Sequence, residues 1–129
     1  MPFLLAPAPP PAAAPAPAAA KADERSAVVC VRATGRRPLT FSGALIPKKP
    51  GAAKPPGAFD LPLTANGEQC NHLLRSKVAD WSLSVNTPGF TACRLAAPEY
   101  GYRVTYTATA SARGLKCAQA ARAPIGPWK

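Results

Sequence analysis

The chain has 129 residues, enough for one domain, and its formal net charge is +10. Leu, Ile, Val and Phe supply only 23 of the 129 residues, so the sequence predicts a small core that needs crosslinks. We expect no transmembrane segment, because no apolar stretch reaches the roughly 18 residues that a spanning helix needs. The basic charge favours contact with polyanions, whether acidic polysaccharide, lipid headgroups or nucleic acid.

Residues 1–22 contain ten Ala and seven Pro and carry no charge before Lys21. One interpretation is a secretory signal, since an apolar Phe3–Leu5 start is followed by small residues before Asp23. The other is an extended, disordered Pro/Ala-rich linker of polyproline II type. Either way, residues 23–129 are predicted to form a single small β-rich domain stabilised by disulfides.

Alternation of apolar and polar residues predicts about six short strands, arranged as an antiparallel sheet or small sandwich. Pro62 weakens one of the candidate segments and confines it to a sheet edge. The first two segments flank the turn at Gly35–Pro38 and are predicted to pair as a hairpin. The candidate segments are 27–33, 39–46, 58–64, 81–85, 90–95, 100–110 and 115–120.

The clearest alternation lies in residues 100–110, Y-G-Y-R-V-T-Y-T-A-T-A. Tyr102, Val104 and Tyr106 share one predicted face, while Arg103 and Thr105 lie on the other. We therefore expect a central strand whose tyrosine face is buried.

One helix is predicted, from about Glu68 to Ala79, which makes the fold class mainly β with an α+β character. Cys70, Leu73, Leu74 and Val78 follow the spacing of one helical stripe. The helix is expected to dock on the sheet through the leucines and Val78.

Residues 47–57 (P-K-K-P-G-A-A-K-P-P-G) are predicted to form a flexible basic loop, since four prolines and two glycines exclude a regular element. Lys48, Lys49 and Lys54 are candidate anion-binding residues. The alternative is a solvated connector, because short runs of charge commonly only face water.

Cys30, Cys70, Cys93 and Cys117 are widely spaced and form no C-x-x-C pair, so the pattern is not that of a structural zinc site and no metal is predicted. Four isolated cysteines in a small Pro-rich chain favour two disulfides. Three pairings are open, of which the sequential one, Cys30–Cys70 with Cys93–Cys117, is preferred. Four buried free thiols in a cytosolic protein are the alternative.

Catalytic motifs are absent from the sequence. No G-x-S-x-G elbow, phosphate-binding loop, dinucleotide fingerprint or H-E-x-x-H is present, and no cofactor is predicted. His72 is the sole histidine and would have to serve any triad.

The composition and the cysteines therefore predict a non-enzymatic exported domain, secreted or in the periplasm or cell envelope. Its action would be surface contact with an extracellular or envelope protein, or with an anionic polymer. An intracellular nucleic-acid-binding module is one alternative, based on the net charge. A small secreted hydrolase using His72 is the other.

Overall fold

The computed structural model describes residues 24–125, and the regular elements in that range are all β-strands. The described fold is therefore mainly β. The predicted segment 1–22 lies outside the described residues. In chain order the strands are β1 (Ser26–Thr34), β2 (Leu39–Pro47), β3 (Phe59–Leu63), β4 (Glu68–Leu74), β5 (Ala79–Asn86), β6 (Cys93–Arg94), β7 (Tyr102–Ser111) and β8 (Gly114–Pro124).

The strands form two four-stranded sheets, with the orders β4-β1-β7-β8 and β3-β2-β5-β6. We call these the first and second sheets. They face each other across one apolar core, to which both contribute, so the domain is a β-sandwich. The core consists of Val29, Val31, Ala33, Leu39, Phe41, Leu63, Leu73, Leu83, Val85, Val104, Tyr106 and Ala108.

Strand β7 follows the predicted alternation. Val104, Tyr106 and Ala108 are buried, Thr105 and Thr107 between them are half-buried, and the flanking Arg103 and Thr109 are exposed. The tyrosine face therefore belongs to the core of the first sheet, as the period of two indicates.

The predicted helix over Glu68–Ala79 is wrong, because residues 68–74 form strand β4 and pair with β1. Its apolar residues do not share one buried stripe: Leu73 is 1% exposed, whereas Leu74 is 66% and Val78 65% exposed. The pairing places Cys70 directly opposite Cys30. Pairing with β1 gives the backbone N–H and C=O groups of this segment their hydrogen-bond partners, and the disulfide holds the pairing in place. These long-range interactions outweigh the local helical pattern.

The predicted hairpin of β1 with β2 is also wrong, because the two strands lie in different sheets. Nor is the first sheet purely antiparallel, since β1 pairs with β7 in parallel. The short turn after Thr34 carries the chain to the second sheet instead of back along the first. The hairpins of β5 with β6 and of β7 with β8 are antiparallel.

The two long sides of the sandwich are closed in different ways. On one side the chain passes from β3 to β4 through a tight corner, in which Gly67 N donates to Thr64 O at 2.8 Å. On the other side β6 and β8 are the edge strands of different sheets, and the Cys93–Cys117 disulfide joins them. The second side therefore depends on a covalent crosslink.

An aromatic cluster fills the space over a glycine in the second sheet. Phe59 lies opposite Gly43 in the β2–β3 ladder. Its ring makes an edge contact with Phe41, with ring centres 5.1 Å apart, and lies 5.9 Å from Trp81. A side chain at Gly43 would overlap the Phe59 ring, so the absence of a Cβ allows this packing.

Candidate functional site

All four cysteines form disulfides, Cys30 with Cys70 and Cys93 with Cys117, which is the sequential pairing that the sequence favours. The first bridge lies within one sheet and joins β1 to β4, with the two Cα atoms 3.9 Å apart. The second joins the two sheets. Glu68 lies close to the first bridge, but disulfide sulfurs are not thiolates and so make no metal or nucleophile site with it.

His72 lies on β4, opposite Val28 of β1. It shares a face of the strand with Cys70 two residues earlier. Cys70 is crosslinked to Cys30, so a Cys–His dyad has no thiolate to use.

The carboxylates of the described strands are engaged by other side chains. Asp60 accepts a hydrogen bond from Ser42 Oγ at 2.6 Å. Glu68 pairs with Arg32 at 3.1 Å, and Asp80 lies 3.9 Å from Lys48 Nζ. The structure brings no two of these acids together as an acid–base pair in the contacts it shows.

Glu99 is the most strongly bound of the acids. The Arg122 guanidinium donates to it through two nitrogens, with Nε 2.8 Å from Oε1, and also lies 3.8 Å from the centre of the Tyr102 ring. The hydrogen bonds, aided by charge attraction, lower the pKa of Glu99 from its ordinary value of 4.5. This contact fixes the segment before β7 to strand β8.

The three tyrosines do not form an open stacking platform. Tyr106 is 9% exposed and belongs to the core. Arg122 covers Tyr102, and the Arg75 guanidinium lies 4.6 Å from the centre of the Tyr100 ring. Burial raises the pKa of Tyr100. Bases stack on aromatic faces that solvent can reach, whereas here a guanidinium lies over each of the two half-buried tyrosines.

The predicted anion-binding lysines lie on the connection between β2 and β3. Lys48 N donates to Val78 O at 2.9 Å, and its ammonium faces Asp80 at 3.9 Å. Lys49 and Lys54 are exposed. Their role in binding stays a prediction. We call residues 47–57 the lysine loop, and the Asp80 carboxylate lies beside it.

The outer face of the second sheet carries a row of linked polar groups. Asn86 Nδ2 donates to Ser42 Oγ at 3.2 Å and to Ser84 Oγ at 3.3 Å, and Ser42 in turn donates to Asp60. The alternation in β5 gives this face its serines. This row presents hydroxyl, amide and carboxylate groups to solvent.

At the end of the sandwich where β1, β5 and β7 finish, the β5–β6 connection and the β7–β8 hairpin line two cavities of about 510 and 150 Å³. The β1–β2 turn adjoins the larger one, since Arg37 contacts Phe90. The sequence indicates these connections only as turns. Their basic side chains come as two pairs that are far apart in the chain. They are Arg36, Arg37, Arg113 and Lys116.

No helix long and apolar enough to cross a membrane occurs among residues 24–125.

No family model and no curated protein matches this sequence. Among solved structures, the chain is similar to the crystal structure of a "putative cell adhesion protein" from Bacteroides ovatus, with a TM-score of 0.42 and 12% sequence identity. The match covers 81% of this chain and 47% of that protein, so the chain spans about half its length.

Proposed function

We propose that this protein is an exported, non-enzymatic interaction domain that acts by surface contact with a protein or an anionic polymer. The observation that carries the proposal is the complete pairing of its four cysteines into two disulfides. Such bridges persist in oxidising compartments and are rare in the cytosol. In this proposal the domain comprises residues 23–129, and residues 1–22 are either a signal-peptide-like segment or a Pro/Ala-rich disordered one.

The energetics support the same compartment. For sequence separations of 24 and 40 residues, the chain-entropy relation gives each disulfide about 3.5–4 kcal/mol. A small domain has a net stability of about 5–15 kcal/mol. A domain with this thin a core would lose much of its stability in a reducing compartment.

Surface contact, and not catalysis, is favoured by the way polar groups are used. Glu68, Asp80 and Glu99 each face a cation, and Asp60 accepts from a serine. Pairing of this kind holds strands and loops in place. A catalytic acid or base instead needs a proton-accepting position left open toward substrate.

Fractionation of the native cells tests the compartment. We expect the protein in the medium, periplasm or envelope. Recovery in the soluble cytosol would contradict the proposal and favour the intracellular nucleic-acid-binding alternative, to which the net charge of +10 points. That alternative further predicts binding to random-sequence DNA that survives at physiological salt.

A further inference from the structure

At one end of the sandwich, two cavities are lined by Arg113 and Lys116, and two further cations lie on the adjoining β1–β2 turn. The end consists of residues 35–38 between β1 and β2, residues 87–92 between β5 and β6, and the β7–β8 hairpin with its flanks, residues 111–116. We call it the cationic end. Its basic side chains are Arg36, Arg37, Arg113 and Lys116.

Direct contacts join the first two of these segments, and a shared cavity joins the second to the third. The Arg37 guanidinium lies 4.8 Å from the centre of the Phe90 ring, and Thr87 Oγ1 donates to Pro38 O at 3.1 Å. Phe90 and Arg113 line the same cavity of about 510 Å³. Arg113 also lines the neighbouring cavity of about 150 Å³, together with Lys116. Arg113 and Lys116 therefore line the cavities directly, and Arg37 reaches the larger one through its contact with Phe90.

This charge is not neutralised within the described part of the chain. None of the ion pairs found among residues 24–125 involves a cation of this end. Asp80 and Glu99 lie toward the opposite end, while Glu68 is shared by Arg32 and Arg103. Positive charge grouped around a concave surface and left unpaired concentrates anions there.

The cavities and the distribution of apolar residues favour one class of anion. Membrane binding needs exposed apolar side chains beside the basic ones. The large apolar side chains found exposed among residues 24–125, Ile46, Leu74 and Val78, belong to the other end, where β2 and β4 finish and β5 begins. Phe90 is covered by Arg37, so it is a poor surface for stacking nucleic-acid bases.

We infer that the cationic end binds an anionic polysaccharide, whose sulfate or carboxylate groups would contact Arg37, Arg113 and Lys116. The inference rests on the proposed function and deepens it by naming the site and the ligand class. The hydroxyls of Thr91 and Ser111 also line the cavities and match the hydrogen-bonding groups of a sugar ring.

The inter-sheet disulfide holds this site together. Cys93 directly follows Ala92, which lines the larger cavity, and Cys117 directly follows Lys116, which lines the smaller one. The bridge therefore fixes the two walls against each other, although the strands that carry them belong to different sheets. Binding at this end is expected to require the bridge.

The test uses the full chain, with heparin and polygalacturonate as anionic probes and dextran as the neutral one, in calorimetric titrations at several salt concentrations. R113Q/K116Q removes two charges from the cationic end. K49Q/K54Q also removes two positive charges, but from the lysine loop, and is the matched control. Melting temperatures verify that both variants are folded.

We expect the wild-type chain to bind at least one anionic probe and not dextran, R113Q/K116Q to weaken that binding roughly tenfold, and K49Q/K54Q to change it less than about threefold. The slope of log affinity against log salt should fall by about one for each lost contact in R113Q/K116Q.

Three outcomes would overturn the inference. Equal weakening by the two variants would show only general electrostatic attraction. A larger loss in K49Q/K54Q would assign the binding to the lysine loop. If the wild-type chain binds neither probe, the ligand class is wrong, whereas the proposed function is judged separately by the compartment in which the protein is found.

Discussion

Replacing Cys93 and Cys117 together by alanine should destabilise the domain and detach one strand. The bridged residues are 24 positions apart. The chain-entropy relation for a closed loop of that size gives a loss of about 3.5 kcal/mol in the free energy of unfolding. For a domain of this size, that corresponds to a melting temperature lower by roughly 15 °C.

The corresponding C30A/C70A variant is the control. Its bridge spans 40 residues, for which the same relation gives about 4 kcal/mol. Stability alone therefore does not separate the two variants, but their local effects should differ. Strand β4 keeps seven paired positions with β1, whereas β6 has only two with β5.

Hydrogen exchange measured by mass spectrometry shows this difference. In C93A/C117A, we expect amides in residues 87–97 to lose protection while β4 stays protected. In C30A/C70A, β4 should retain most of its protection because its backbone ladder remains. Unchanged protection in residues 87–97 of C93A/C117A would refute the role assigned to the inter-sheet bridge.

Two further predictions concern the second sheet and the Glu99 ion pair. G43A should lower the free energy of unfolding by about 1–3 kcal/mol, because the new methyl group would overlap the Phe59 ring; a urea midpoint equal to wild type would contradict this packing. E99Q should melt below wild type at neutral pH. Hydrogen bonds from Arg122 lower the pKa of Glu99, so the stability from this pair is present above the ordinary pKa of 4.5 and is lost as the pH falls through the lowered value. The difference between the two melting temperatures should shrink on acidification, and a constant difference would show that the glutamine acts by another route.

The sequence predicted the strands in which apolar and polar residues alternate. The alternation of Tyr102, Val104 and Tyr106 identified β7 and its buried face, because a half-buried strand needs a period of two. The alternation in residues 81–85 likewise identified β5.

Strand β4 could not be identified in this way. Cys70, Leu73, Leu74 and Val78 fit a helical stripe, and what makes the segment a strand is its pairing with β1, about 40 residues away at Cys30. The parallel pairing of β1 with β7 and the assignment of β1 and β2 to different sheets are equally long-range. Local periodicity carries no information about such partners.

The same reasoning applies to the candidate site. The sequence indicates Lys48, Lys49 and Lys54 as a basic cluster because they are close together in the chain. In the folded protein, however, Lys48 faces the Asp80 carboxylate. Arg37 and Arg113 are far apart in sequence, and Phe90 connects them only after the sandwich has formed. Electrostatic surfaces of this kind follow from the fold and not from charge runs.

The most direct measurement is a count of free thiols in the protein taken from its native cells, alkylated at the moment of lysis and weighed intact. With all four cysteines bridged, we expect no added alkyl group before reduction and four after it. Four alkylated cysteines without reduction would contradict the crosslinked, exported domain described here.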